Sequence, residues 1–281
     1  MPQVCILTDS SIQFTNSTFP GHELVSVLPM RIQLNQRLYR DGIDLTLQML
    51  PFSAKNGVDP HVLPPSSDEF CLALETLAKE YEHVLVILLS ASLNPSIASA
   101  YEICQTLHSS ASVHIIDSQA TSVGLGLIVQ AAADAAWGDV GIAEIKRMLN
   151  RLIPRVYTIY CTQSLTYLSH SGQLDPAQAL VGEMMGVTAF FLMEHGSLIP
   201  VQKARNSRNM VDIFEEFIME FGDLRYIAMI QGVPPFAGEI RALRERIHER
   251  YPDTPFSEHL MGAAVATMLG PRSLGLVTMI K

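Results

Sequence analysis

Three apolar runs in the first half of the chain each end in a short cluster of hydroxyls and carboxylates. Val4-Cys5-Ile6-Leu7 leads into Thr8-Asp9-Ser10-Ser11, Val84 to Leu89 into Ser90-Ala91-Ser92, and Val113-His114-Ile115-Ile116 into Asp117-Ser118. After the second cluster come Asn94-Pro95 and then the helix-compatible residues Ile97, Ala98, Ala100, Tyr101, Cys104 and Leu107. Asn is a good N-cap and Pro suits the first helical position, so a helix starts there. Its free backbone N–H groups, beside the hydroxyls of Ser92 and Ser96, favour a bound carboxylate or phosphate. Asp9 and Asp117 offer a second chemistry: a carboxylate pair for acid–base work, with Ser10 and Ser118 as hydroxyl groups. Aspartates at strand ends also commonly cap loop amides, which is the structural alternative.

Other site chemistries find no motif. There is no G-x-x-x-x-G-K-[ST] and no G-x-G-x-x-G after a strand, so nucleotide binding has no support. Gly124 and Gly126 lie where a helix begins and more simply let helix and sheet approach. The nine histidines are scattered and no H-E-x-x-H occurs, so no metal site is expected. A G-x-S-x-G elbow is absent as well, which argues against a common α/β serine hydrolase. With no strong catalytic constellation, a binding protein that needs no cofactor is the expectation.

The elements that must position these residues follow from pattern. An unalternating apolar run too short for a helix reads as a strand buried on both faces, and such strands alternate here with helices, the mark of a parallel α/β sheet. Further strand patterns occupy Leu24 to Leu34 and, as a turn or strand end, Arg37 to Gly42; Leu45 to Leu50 suits a short helix and Asn56 to Pro65 a loop. Ser66 to Glu69 forms a capping box for a helix through Lys79. Helices are predicted from Ser122 to Trp137, stopped by Gly138, and from Ile142 to Ile153, closed by Pro154. Beyond it come a strand, Val156 to Thr162, a short helix, Ser164 to Leu168, and an irregular stretch punctuated by Gly172, Gly182 and Gly186. Thr188 to Met193 and Leu198 to Ala204 read as a hairpin turning at His195-Gly196-Ser197. Helices at Asn206 to Phe221 and Phe236 to Tyr251 flank a strand, Arg225 to Ile230, and a last strand, Leu274 to Ile280, follows the Gly270-Pro271 turn. The expected fold is α/β with two domains: a parallel-sheet βαβ domain over residues 1–154 and an α+β domain with a mixed or antiparallel sheet over residues 155–281. In open α/β sheets ligands gather outside the carboxyl ends of the strands, so three polar ends on one edge outline a crevice.

Composition limits the partners. At 48% hydrophobic and 17% charged residues the chain cannot be disordered, and a net charge of −9 with no basic stripe argues against nucleic acid. No apolar run reaches the ~20 residues of a membrane span. The N-terminus MPQVCILTDS has no charged n-region, so no signal peptide is expected. Cys5, Cys71, Cys104 and Cys161 are far apart in apolar surroundings, which fits reduced thiols in the cytoplasm. The thirteen methionines either fill core or line an adaptable apolar cavity.

Taken in order, several of these segments resemble the DegV family, which includes the fatty-acid-binding subunits of bacterial fatty acid kinase. The likeness covers nearly the whole chain. It rests on Leu7-Thr8-Asp9-Ser10-Ser11, on Tyr39 to Gly42, and on Pro65-Ser66 at the end of the family's T-S-Q-P-S. Ser90 to Ser96 stands against S-S-x-L-S-G-T, followed by Ile116-Asp117-Ser118 with Gly124 and Gly126 and by Tyr167-Leu168. Gly196 to Pro200 with Lys203 and Arg205, and finally Gly270-Pro271, complete it. The resemblance implies an acyl chain in an apolar tunnel between two domains, its carboxylate held where the loops meet and presented to a separate kinase subunit.

At the head-group positions this sequence departs from the family. Val62 stands at the carboxylate-binding Thr, with Leu63 after it, Asn94 at the binding Ser, Gln173 at the Arg of G-G-R-I, and Met268 at the late His. Asn94 and Ser96 keep polar groups, and Arg205 with Lys203 would be the remaining cations. The candidate ligand-binding set is therefore Ser10, Val62, Ser92, Asn94, Ser96, Ser118, Gln173, Arg205 and Met268. Three ligands stay open: a long-chain fatty acid, an amphiphile with a neutral or differently shaped head, or the small-molecule substrate of an enzyme using the strand-end Asp and Ser residues.

Overall fold

The structure, a computed structural model, describes residues 3–54, 58–106, 111–233 and 236–281. Its N-terminal half runs β1 (Val4–Asp9), β2 (Val25–Leu28), β3 (Arg31–Leu34), β4 (Arg37–Arg40), β5 (His61–Leu63), α1 (Ser67–Leu77), β6 (His83–Leu88), α2 (Ser96–Thr106), β7 (Ser112–Asp117), α3 (Ser122–Trp137) and α4 (Ile142–Leu152). The C-terminal half runs β8 (Val156–Thr162), α5 (Leu165–His170), α6 (Pro176–Met184), β9 (Thr188–Glu194), β10 (Ser197–Ala204), α7 (Ser207–Met219), β11 (Leu224–Gln231), α8 (Ala237–Arg250), β12 (Phe256–Leu260), α9 (Ala263–Leu269) and β13 (Ser273–Ile280).

Four parallel strands in the order β2-β1-β6-β7 form the first sheet. The second is a mixed sheet of six, β10-β9-β8-β13-β11-β12, antiparallel except where β11 meets β12. A small antiparallel sheet, β4-β3-β5, sits beside them.

Burial on both faces explains the unalternating apolar runs of β1 and β6, whereas β7, expected to be buried in the same way, is an edge strand and stays only partly buried. In β6, Val84, Val86 and Leu88 face a cluster with Phe70 and Leu74 of α1 and Ala100 of α2, while Leu85 and Ile87 face the layer between the two large sheets. That inner layer is built on α3, whose Val123, Leu125, Ile128 and Val129 are buried in the same cluster as Tyr160 of β8 and Val277 of β13. Gly126 lets α3 lie against the loop after β1, since a Cβ there would run into the Gln13 carbonyl. The mixed sheet is closed on its far side by α7 and α8 through Phe214, Phe217, Leu243 and Ile247.

Several predicted boundaries need correction. The single strand expected over Leu24 to Leu34 is two strands in two different sheets, because Pro29 cannot donate to a ladder and the chain turns there. Within the loop expected over Asn56 to Pro65, His61-Val62-Leu63 pair with β3 as an edge strand bounded by Pro60 and Pro64; residues 56 and 57 of that loop lie outside the described residues. Leu45 to Leu50 holds only one 3-10 turn, Leu47–Met49. The stretch read as irregular contains α6, started by Asp175, which accepts from the Ala177 and Gln178 amides, and by Pro176 at the first helical position. β12 and α9 precede the Gly270-Pro271 turn, where the sequence pattern assigns no elements. Leu107, read as part of the α2 pattern, lies outside the described residues.

Candidate ligand-binding crevice

The parallel register brings the three strand ends together: Asp9 pairs with Leu28, Leu7 with Val86, and Leu88 with Asp117. Asp9 is fully buried, and its carboxylate accepts from the Ser11 amide at 3.0 Å and the Leu89 amide at 2.8 Å, which ties β1 to the end of β6. Burial pushes its carboxyl above the ordinary carboxylate range. Ser10 Oγ accepts from the Met30 amide at 2.9 Å and donates to Asp41 Oδ2 at 2.6 Å. Asp41 Oδ1 accepts from the Ala264 amide at 3.1 Å, in the first turn of α9. One carboxylate thus links the parallel sheet, the small sheet and the C-terminal half. Burial raises the Asp41 carboxyl to about 6, against the lowering by Ser10 and Ala264.

At the second strand end, Ser90 Oγ donates to the Gly196 carbonyl at 2.7 Å and accepts from the Ser92 amide at 3.2 Å. Gly196 sits in the turn between β9 and β10 with a left-handed backbone, φ 82°, and a Cβ there would collide with Ser90 Oγ. Asn94 and Ser96 are buried and bonded to each other: Asn94 Oδ1 accepts from the Ser96 amide at 3.1 Å and from Ser96 Oγ at 2.6 Å. Asn94 Nδ2 donates to the Val62 carbonyl at 2.8 Å, so two departures from the family pattern meet each other directly. At the third end, Asp117 Oδ1 accepts from the Gln119 amide at 2.9 Å and the Ala91 amide at 3.3 Å, and Ser118 Oγ is turned onto Ala120. Gln119 and Ser122 both adopt left-handed backbone, a local strain that these bonds must hold.

Across the crevice, Gln173 Nε2 donates to the Ser92 carbonyl at 3.2 Å and to the Ser171 carbonyl at 3.3 Å. Ser171 Oγ donates to the Met268 carbonyl at 3.0 Å. The Met268 side chain is buried in the inner layer with Met30, Ile32, Leu93 and Leu168. Val62, Ser92, Asn94, Ser96, Gln173 and Met268 therefore gather at one junction, with Ser10 and Ser118 on the neighbouring strand ends. Arg205 does not join them. β10 starts at the crevice with Ser197 and runs its 8 residues away from it, roughly 25 Å at about 3.3 Å per residue. Arg205 lines a separate cavity of about 400 Å³ with Gln163, Ser207, Glu239 and Arg272, and Lys203 is exposed on the same strand.

The fold also places here polar groups outside the candidate ligand-binding set. The hydroxyls of Thr8 and Tyr160 are buried without a partner among the described residues. Both belong to the sides of their strands that face the inner layer, from opposite sheets. Asp59, His61 and His170 converge into one cluster, although the histidines read as scattered. The D-x-H spacing at 59–61 was the available signal, and its third member comes from a distant helix.

A parallel sheet and a mixed sheet sharing one layer of helices, with polar strand ends at their junction, define an architecture that comparison with known proteins assigns. The family model described as "Uncharacterised protein, DegV family" matches residues 3–281, and the chain belongs to the DegV family. A DegV domain-containing protein of Caldanaerobacter subterraneus is 25% identical, over 98% of each chain. The crystal structure of a fatty acid binding DegV family protein from Streptococcus agalactiae superposes with a TM-score of 0.86 at 20% identity, covering 100% of both chains. The fatty acid kinase B3 protein of Streptococcus pneumoniae, loaded with linoleic acid, gives 0.85 at 19% identity, covering 99% of this chain and 100% of that one.

Proposed function

We propose that this chain binds a long-chain fatty acid, its tail lying in the apolar layer between lobes 1–154 and 155–281 and its head at the strand-end crevice. The observation that carries this reading is the end-to-end correspondence with structures described as fatty-acid-binding, combined with polar strand ends that border a buried layer containing several methionines. Met30, Met193, Met261 and Met268 belong to that layer, and their unbranched side chains repack readily around a guest. A tail of about 14 methylenes gains about 11 kcal/mol on leaving water. Micromolar affinity needs only about 8 kcal/mol, which leaves a few for displacing side chains. A guest's polar atoms would also satisfy Thr8 and Tyr160, whose unpaired hydroxyls cost about 1–3 kcal/mol each.

The head-group chemistry supports a second reading. Ser92 is exposed and Gln173 is neutral, and Val62 and Met268 offer no side-chain hydrogen-bond donor. An ionised carboxylate without a cation costs several kcal/mol, so an amphiphile with a neutral head fits this rim as well. With an acid bound, the exposed side of Ser92 is where a separate kinase subunit would meet the carboxylate. Catalysis by the chain itself finds no support, because Asp9 and Asp117 are both occupied by loop amides. No helix among the described residues is long and apolar enough to cross a membrane, and all four cysteines are free, which suits a reducing cytoplasm.

Native mass spectrometry of the purified chain, followed by lipid extraction, tests the proposal. One co-purifying or added fatty acid per chain is expected; a protein that stays empty with palmitate and oleate overturns it. Titration with an acid and its methyl ester separates the two heads, a large preference for the acid excluding the neutral one.

A further inference from the structure

Asp59 and His61 lie in and just before β5, while His170 ends α5 in the other half of the chain, yet their side chains meet. Asp59 Oδ1 is 2.7 Å from His61 Nε2 and 3.1 Å from His170 Nδ1, and one ligating atom from each residue lies within 4.8 Å of the others. The far nitrogen of His170 explains why this is more than a chance contact. His170 Nε2 is 3.3 Å from the Ala54 carbonyl, which can only accept, so Nε2 carries the hydrogen. In the imidazolium form Nδ1–H would donate to the Asp59 carboxylate; in the neutral form the Nδ1 lone pair faces it, and two electron-rich atoms that close call for a cation between them. An imidazole that donates its outer N–H to a backbone carbonyl, with its inner nitrogen aimed at a shared point, has the orientation of a metal-bound histidine.

We propose that Asp59, His61 and His170 bind a divalent first-row transition metal, with zinc fitting the donor set best. Two imidazoles and one carboxylate, with the fourth position open to water or an incoming ligand, are a recurrent zinc arrangement. Magnesium and calcium, which take oxygen ligands, do not suit it. In a tetrahedral site with bonds of about 2.0–2.1 Å, ligand atoms stand about 3.3 Å apart. The Asp59–His170 spacing is already close to that. The Asp59–His61 spacing must widen by about 0.6 Å, which these side chains, 53% and 38% exposed, are free to do. The ion would join β5 to α5 and so bridge the two halves next to Val62 and Ser171. The inference does not depend on what the crevice binds.

The test uses the full chain, stripped with a chelator and titrated with zinc sulfate by calorimetry, alongside His61→Ala, His170→Ala and Asp59→Asn. Wild type is expected to take up one zinc per chain and to melt at a higher temperature with zinc present. Each substitution should weaken binding by more than the roughly 10–100-fold cost of losing a group outside the ligand set, and remove the thermal shift. Cobalt(II) in place of zinc should give visible absorption bands that the substitutions abolish. No uptake at one equivalent, the outcome if the cluster is only a protonated His–Asp ion pair, overturns the proposal. So does zinc binding of wild-type strength in a folded histidine variant. Asp59→Asn, which keeps the side-chain shape, provides the answer if an alanine variant does not fold.

Discussion

Replacing Asp41 by Asn isolates the carboxylate that joins both sheets and α9. In the folded chain this carboxyl holds its proton up to about pH 6, against an ordinary value of 3.8, because burial outweighs the hydrogen bonds from Ser10 and Ala264 and the nearby Asp9 charge adds to the rise. The folded state therefore binds more protons than the unfolded chain between those two values. This group favours folding most below about pH 4, and that contribution is lost as pH rises through about 6. A difference of about two pH units at about 1.4 kcal/mol each amounts to about 3 kcal/mol. The substituted amide would not titrate; its oxygen can still accept from Ala264 and its NH₂ can donate to Ser10. Urea unfolding of wild type and Asp41→Asn at pH 4, 5, 6 and 7.5 measures the effect. The stability of wild type relative to the variant should fall by about 2.5 kcal/mol between pH 4 and 7.5, since at pH 4 the unfolded carboxyl is already partly ionised. A constant difference, or one that grows with pH, would refute the account of Asp41 as a carboxyl whose burial dominates.

Gly196→Ala should cost at least ~2 kcal/mol, because it combines a strained left-handed φ with a collision against Ser90. Gly172→Ala, at φ 75° but in open space, should cost less in the same calorimetric scan; equal losses would dismiss the crowding at Ser90. Tyr160→Phe removes a buried hydroxyl that has no partner among the described residues and should leave the empty protein unchanged or up to ~1 kcal/mol more stable in urea, while weakening ligand binding. A clear loss of stability would reveal a partner for that hydroxyl. Gln173→Arg places a guanidinium beside the Ser92 carbonyl and should raise the preference for an acid over its methyl ester by roughly tenfold or more. An unchanged ratio in competition titrations would remove Gln173 from the head-group site.

How much of this was legible depends on whether local chemistry decides the outcome. The strands around Ile6 and Val86 were readable because burial on both faces leaves no alternation, the one around Ile115 had the same apolar run although it lies at the sheet edge, and Ser66, Asn94 and Gly138 punctuate helices in ways that sequence records directly. The hairpin turning at His195-Gly196 was equally plain. β5 was not, since three residues between prolines carry no strand pattern and pair only because β3 is there to receive them. α6 was hidden by glycines on either side of it, although Asp175-Pro176 marked its start. At the site, the serine-bearing strand ends could be located but not their partners. That Ser10 reaches Asp41, or that Asn94 spends its amide on the Val62 carbonyl, depends on loops brought together across long stretches of chain. Arg205 illustrates the converse: a plausible cation in the sequence, it lies at the wrong end of its strand. Asp59, His61 and His170 could be found only in three dimensions.

The helix Ser122–Trp137 is packed against the parallel sheet and the mixed sheet at once, so both lean on a single shared partition. A break in the backbone near Pro154 would leave one fragment holding the partition with its outer side wet, and the other with a bare oily wall. Neither piece could then persist by itself for long. Heat or denaturant should accordingly dismantle the molecule in one concerted event, with no surviving half-structure along the way.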